Sequence, residues 1–134
     1  MIQYGLDTNV ILRTLISDDP QQADAARQFG AGFGKHYTGY ITLISLLEID
    51  WALRSHYGFA KKDVVTAIGT LIRLRGVTVE SHDLVVRALK QTEDANADCA
   101  DALIAARSLE AGCVSIKTFD KKAASCVPGM ELLA

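Results

Sequence analysis

Cysteine, proline, histidine and aromatic side chains are all scarce in this chain, and each scarcity removes a class of protein. Three cysteines, Cys99, Cys113 and Cys126, are an odd number with no paired spacing, so neither a disulfide framework nor a zinc site is expected; all three are expected to be reduced and buried. Two prolines among 134 residues leave no Pro-rich linker, and the ten glycines form no run ahead of a Lys-Ser/Thr pair, which disfavours a phosphate-binding NTPase loop. His36, His56 and His82 are scattered, with no spacing that suits a metal or a catalytic pair. No basic segment followed by an apolar core opens the chain, and the best apolar run, residues 41–53, is broken by Glu48 and Asp50 well short of a membrane span, so a cytoplasmic location is expected. Charge of one sign is missing too: 14 basic against 16 acidic residues give a net charge of -2, which announces no nucleic-acid partner globally. Locally, residues 35–75 carry Lys35, Arg54, Lys61, Lys62, Arg73 and Arg75 against Glu48, Asp50 and Asp63, a balance that suits either a solvated face or a phosphate-facing one.

What is present is alternation. At this length one domain is expected, residues 1–134, with about two thirds of its unfolded surface buried. The extended run at residues 2–6 leads through Asp7-Thr8-Asn9 into a helical pattern, and Pro20 is placed as a first helical residue ahead of a short helix over 21–29 that residues 30–34 end. Strand character returns at 35–41, where Tyr37, Thr38 and Tyr40 favour it. Thr42 then caps a helix over 43–57, and another is expected over 61–74. Residues 77–80 read as strand, 82–91 as helix, 92–97 as a polar loop, 98–111 as helix, 113–118 as strand, 121–125 as a helical turn and 130–133 as a last strand. This order predicts an α/β domain with a parallel sheet sandwiched between helices, the carboxyl ends of its strands along one rim.

The acids fall at that rim. Asp7 follows the first strand and Asp120 the fourth; Asp98 and Asp101 share a helix face in the first turn after residue 98. Asp, Thr and Asn also cap helices, which by itself accounts for Asp7 and for one of the pair at 98 and 101. The segment 43–53 is apolar almost all round and so predicts a buried helix. Glu48 lies in its stripe of Ile44, Leu47 and Trp51, where a carboxylate needs a partner, whereas Asp50 points away and can reach Arg54. Periodicity does not choose between the two acids; Glu48 is preferred because no cation follows it at i+3 or i+4. Four carboxylates about 5 Å apart would repel by roughly 3 kcal/mol per pair at an effective dielectric near 20. The six pairs among Asp7, Glu48, Asp101 and Asp120 total about 20 kcal/mol, more than a domain's net stability of about 5–15 kcal/mol. Convergence therefore requires protonation or a cation, and an all-oxygen donor set points to Mg²⁺ or Mn²⁺.

Four blocks occur in order: Leu6-Asp7-Thr8-Asn9-Val10, Ser45-Leu46-Leu47-Glu48, Ala97-Asp98-Cys99-Ala100-Asp101-Ala102-Leu103-Ile104-Ala105-Ala106, and Lys117-Thr118-Phe119-Asp120. Together they resemble the PIN-domain ribonucleases and, within them, the VapC toxins of type II toxin–antitoxin pairs. The resemblance runs over essentially the whole chain. It implies a three-layer α/β/α PIN domain, Mg²⁺- or Mn²⁺-dependent endonucleolytic cleavage of RNA, a homodimer, and inhibition by a cognate VapB-like antitoxin. Carried over by position, it implies that Asp7 and Asp101 are principal metal ligands, that Glu48 completes the site and orients the attacking water, and that Asp120 holds metal from the next strand end. Asn9 and Thr118 are implied to position these carboxylates, and Asp98 either to enter the same pocket or to support it. Lys121 and Lys122, where relatives often carry Asp or Arg, suggest contacts to RNA phosphates.

Other classes remain alternatives at this point. A phosphoacceptor receiver domain wants adjacent acids after its first strand, where Thr8 and Asn9 stand here. A PIN-like module without catalysis and a PIN nuclease of RNA processing with no antitoxin share the same residues. Trp51, Tyr57 and Phe59 are expected to pack in a core or dimer interface rather than to stack bases.

Overall fold

The computed structural model describes residues 1–134 and divides them into two compact units, Met1–Glu80 and Ser81–Ala134. The first contains β1 (Ile2–Gly5), α1 (Thr8–Leu15), α2 (Pro20–Gly30), β2 (Tyr37–Ile41), α3 (Leu43–Ser55), α4 (Lys61–Leu71) and β3 (Val77–Val79). Its three strands pair in the order β1-β2-β3, all parallel, with Ile2 opposite Tyr37 and Ile41 opposite Val79. Helical starts are written in the caps. Asp19 accepts the Gln22 N–H ahead of Pro20, and Thr42 accepts the Ser45 N–H, satisfying donors that the first turn leaves unpaired. Ile11, Ile41, Leu46, Ile49, Leu53 and Ile68 are fully buried and form the centre of this unit.

At the amino end of β2 and β3 two loops meet back to back. Gly34 and Gly76 both have φ near +77°, and a Cβ on Gly76 would stand 2.3 Å from the Gly34 nitrogen. No other residue fits there. At another corner, Tyr57 donates its hydroxyl to Asp18 at 2.8 Å and Arg13 pairs with the same carboxylate at 3.3 Å. The Tyr57 hydrogen bond, with the Arg13 charge behind it, holds the Asp18 carboxyl below its usual range.

The second unit contains α5 (His82–Asp94), α6 (Cys99–Glu110), β4 (Ile116–Thr118), α7 (Lys121–Cys126) and β5 (Met130–Leu132). α5 packs on α6, and β4 pairs parallel with β5. Its small core gathers Ala97, Ala105, Ala123, Val127 and Met130, with Ile116 and Cys126 at the margin.

The expected α/β class with parallel strands between helices is present, the strands hydrogen-bonding as three in the first unit and two in the second. Other expectations need correction. The helix over 43–57 is not buried all round: Ser45, Leu46, Ile49, Asp50 and Leu53 face inward, while Ile44 and Trp51 are 71% and 64% exposed. An apolar composition therefore marked an open apolar face, not a buried helix. The helix over 61–74 stops at Leu71, and the 92–97 loop begins only after Asp94, because Thr92 is buried and returns its hydroxyl to the Ala88 carbonyl. Residues 113–115 lie outside β4, with Val114 97% exposed. Of the cysteines, none in a disulfide, only Cys99 is buried; Cys113 is exposed and Cys126 half-buried.

Candidate functional site

In the first unit the acid rim is built around the turn from β1 to α1. Asp7 follows β1 in extended conformation and caps α1, its carboxylate accepting the Thr8 N–H at 2.9 Å. The capping role open in the sequence is therefore present, and the residue stands exposed at the carboxyl end of a strand. The next residue supplies a link that sequence reasoning missed. Thr8 donates its hydroxyl to Glu48 Oε1 at 2.7 Å, bringing α3 to the residue beside Asp7. The signal in the sequence was only a hydroxyl at the first helical position, whose partner forty residues away no local pattern names.

Glu48 and Asp50 are separated by burial in the opposite sense to that expected. Glu48 is exposed between Ile44 and Trp51, whereas Asp50 is 1% exposed and held bidentately by Arg54, at 2.8 and 3.1 Å. The expected Asp50–Arg54 pair is thus present. Neither Asp7 nor Glu48 takes part in an ion pair. An exposed carboxylate with no paired cation is open to a divalent ion. Glu80, an acid at the end of β3 that the sequence reading passed over, is turned instead onto the Leu43 N–H at 3.0 Å and serves the start of α3.

Asn9 is exposed and lines a cavity of about 390 Å³ between α1 and α2, together with Leu6, Val10, Arg13 and Phe29. Arg13 is held there by Gln22 at 2.8 Å as well as by Asp18.

In the second unit Asp98 caps α6, accepting the Asp101 N–H at 3.1 Å, so the two acids share one turn at the positive end of the helix. Both are half-buried. Asp120 caps α7 by accepting the Ala123 N–H at 2.9 Å, and its own N–H is donated to Thr118 Oγ1 at 3.0 Å. The Thr118 hydroxyl thereby sets the backbone that carries Asp120. Lys121, Lys122 and Phe119 are exposed around this cap. Neither unit by itself assembles three metal-ligating side chains.

Asp7, Asp98 and Asp120 each start a helix, so the capping chemistry that folds the chain is also what orients its acids. All the candidate donors are oxygens, a set that suits hard cations and offers no thiolate or imidazole to a softer one. Set against known families, residues 4–126 match the PIN domain, whose α/β/α layering accords with the helices and parallel strands described here. The match runs through both units. No curated protein matches the chain.

Proposed function

From the chain's membership of the PIN domain family, whose members are generally nucleases, we propose that it is a Mg²⁺- or Mn²⁺-dependent endoribonuclease acting as the toxin of a type II toxin–antitoxin pair. The observation that carries the catalytic part is the Thr8–Glu48 hydrogen bond, which joins an acid of α3 to the turn bearing Asp7 with no cation paired to either. By resemblance to the family, Asp7 and Asp101 would be the principal metal ligands, with Asp120 and Asp98 as further acids at the starts of α7 and α6. When bound, the ion supplies positive charge to the attacked phosphodiester and acidifies a water.

The remaining work falls to the chain's own groups. Thr8 occupies Glu48 Oε1, which fixes the carboxylate and leaves Oε2 to orient a water and receive its proton. Thr118 steadies Asp120 through the backbone. Lys121 and Lys122, exposed beside Asp120, would meet RNA phosphates. No protein nucleophile is required, in keeping with the absence of a Ser-His or Cys-His pair at this turn. As partners we propose a second copy of the chain, for which the exposed Ile44 and Trp51 of α3 offer apolar surface, and a VapB-like antitoxin.

The test is cleavage of RNA by Asp7→Asn with and without Mg²⁺ or Mn²⁺. Asparagine still caps α1, so the melting temperature should hold or rise as repulsion is removed, while metal-dependent cleavage is lost. Normal cleavage by this variant would defeat the assignment.

A further inference from the structure

The arginines of this protein are nearly all spoken for. Arg13 pairs with Asp18, Arg54 with Asp50, Arg87 and Arg107 with Glu110, and Arg27 donates to Ser17. Arg73 and Arg75 are the exceptions, both exposed and in no ion pair, and Lys35 shares that condition. Lys35 and Arg75 lie on two loops that meet, and Arg73, two residues before Arg75, lays its guanidinium over Gly69 near the end of α4. The back-to-back packing of Gly34 and Gly76 brings the loop before β2 against the loop before β3, and the position of a Gly34 Cβ lies 3.5 Å from Arg75 Cγ. His36 is exposed beside them, and residues 30–41 and 70–79 contain no acid at all.

The ends of α2 and α4 fall here too, and a helix C-terminus attracts a cation. That accounts for one cation at each helix end. It does not account for a third, nor for a backbone fold at Gly34 and Gly76 that only glycine permits and that holds the two basic loops together. In a chain of net charge -2, three unneutralised cations on one edge form a local positive field. We infer that Lys35, Arg73 and Arg75 form a second RNA-binding surface, which holds the phosphate backbone of the substrate strand at the amino-terminal edge of the sheet, opposite the edge that bears Asp7.

This inference rests on the ribonuclease reading and extends it from the cleaved bond to the rest of the strand. The five residues of β2 span about 16 Å at roughly 3.3 Å each. A strand stacked at about 3.4 Å per nucleotide therefore needs about five nucleotides to touch both edges. Short RNAs would be served by the acids alone, and longer ones would gain from the basic edge.

The experiment is binding of a fluorescein-labelled single-stranded RNA of about twenty nucleotides to the full chain in EDTA, across a salt series, for wild type and Lys35→Gln/Arg73→Gln/Arg75→Gln. Three lost phosphate contacts should lower the slope of log K against log salt by about 2 and weaken binding at low salt at least about tenfold. With Mg²⁺ or Mn²⁺ restored, KM should rise for the long RNA, while a trinucleotide is cut as by wild type. Unchanged affinity and slope in the triple variant, or no RNA binding by wild type, overturns the proposal. So does competition by polyglutamate or phosphatidylserine vesicles as effective as that by unlabelled RNA, which would mean a general anion sink. If the triple variant melts early, Arg75→Gln alone should still lower the slope by about 0.7, and no change there is equally fatal. A wild type that binds RNA with this salt dependence yet never cuts it refutes the nuclease reading and leaves the surface standing.

Discussion

Glu48 and Asp50 stand two residues apart on one helix and have opposite fates, because a period of 3.6 turns them to different sides of α3. Asp50 goes into the core with Arg54 as its counter-charge; Glu48 stays in water and takes the Thr8 hydroxyl. Their conservative variants separate the two roles. Glu48→Gln keeps an oxygen for Thr8 on an exposed site, so stability should move by no more than about 0.5 kcal/mol, while cleavage should fall about 100-fold or more. Asp50→Asn leaves Arg54 without its carboxylate and should cost on the order of 2–3 kcal/mol, somewhat under the loss for a fully buried pair because Arg54 keeps a third of its side chain in solvent. Its cleavage at a temperature where it stays folded should be normal. Thermal melts beside cleavage rates check both, and loss of cleavage in folded Asp50→Asn alone would mean that the wrong face of α3 was chosen.

At the scale of elements, caps and glycines decide where things begin and end. Asp7, Asp19, Thr42, Asp98 and Asp120 each accept an N–H from the first turn of the helix they precede, so the acids at positions 7, 98 and 120 are oriented by folding itself. Glycine at positive φ does the corresponding work in the loops, but not equally. Gly58 has φ +70° and nothing within 4 Å of a Cβ, whereas Gly76, at +76°, faces the backbone of Phe33 and Gly34. Gly58→Ala should therefore cost only the left-handed backbone strain of about 1–2 kcal/mol. Gly76→Ala should cost that strain plus the separation of two loops, about 2 kcal/mol more than Gly58→Ala. Urea titrations of the two variants test the difference; equal losses would mean that the two loops do not need their close approach.

On the scale of the whole molecule, the PIN-domain match over residues 4–126 runs through both compact units, so the acids of each belong to one family pattern. If the proposed activity is a toxin's, inducing the chain in bacteria should arrest growth, Asp7→Asn should not, and co-expression of the adjacent reading frame should relieve the arrest. Growth curves and colony counts read this out directly. Arrest by Asp7→Asn equal to that by wild type would separate toxicity from the carboxylates, and arrest that no neighbouring frame relieves would favour a processing nuclease.

The order of strands and helices, the α/β class and the places of the acids at strand ends and helix starts followed from the sequence, because hydrophobic period, capping residues and turn glycines act within a few positions of one another. The Asp50–Arg54 pair was legible for the same reason, at i and i+4. Burial was not. Whether α3 is enclosed or open along Ile44, Glu48 and Trp51 depends on what the rest of the unit brings against it, and composition alone is silent on that. Equally out of reach were Thr8 finding Glu48, and Gly34 meeting Gly76 so that Lys35 joins Arg73 and Arg75. Such meetings join residues some forty positions apart, and only the packed chain chooses which distant groups become neighbours.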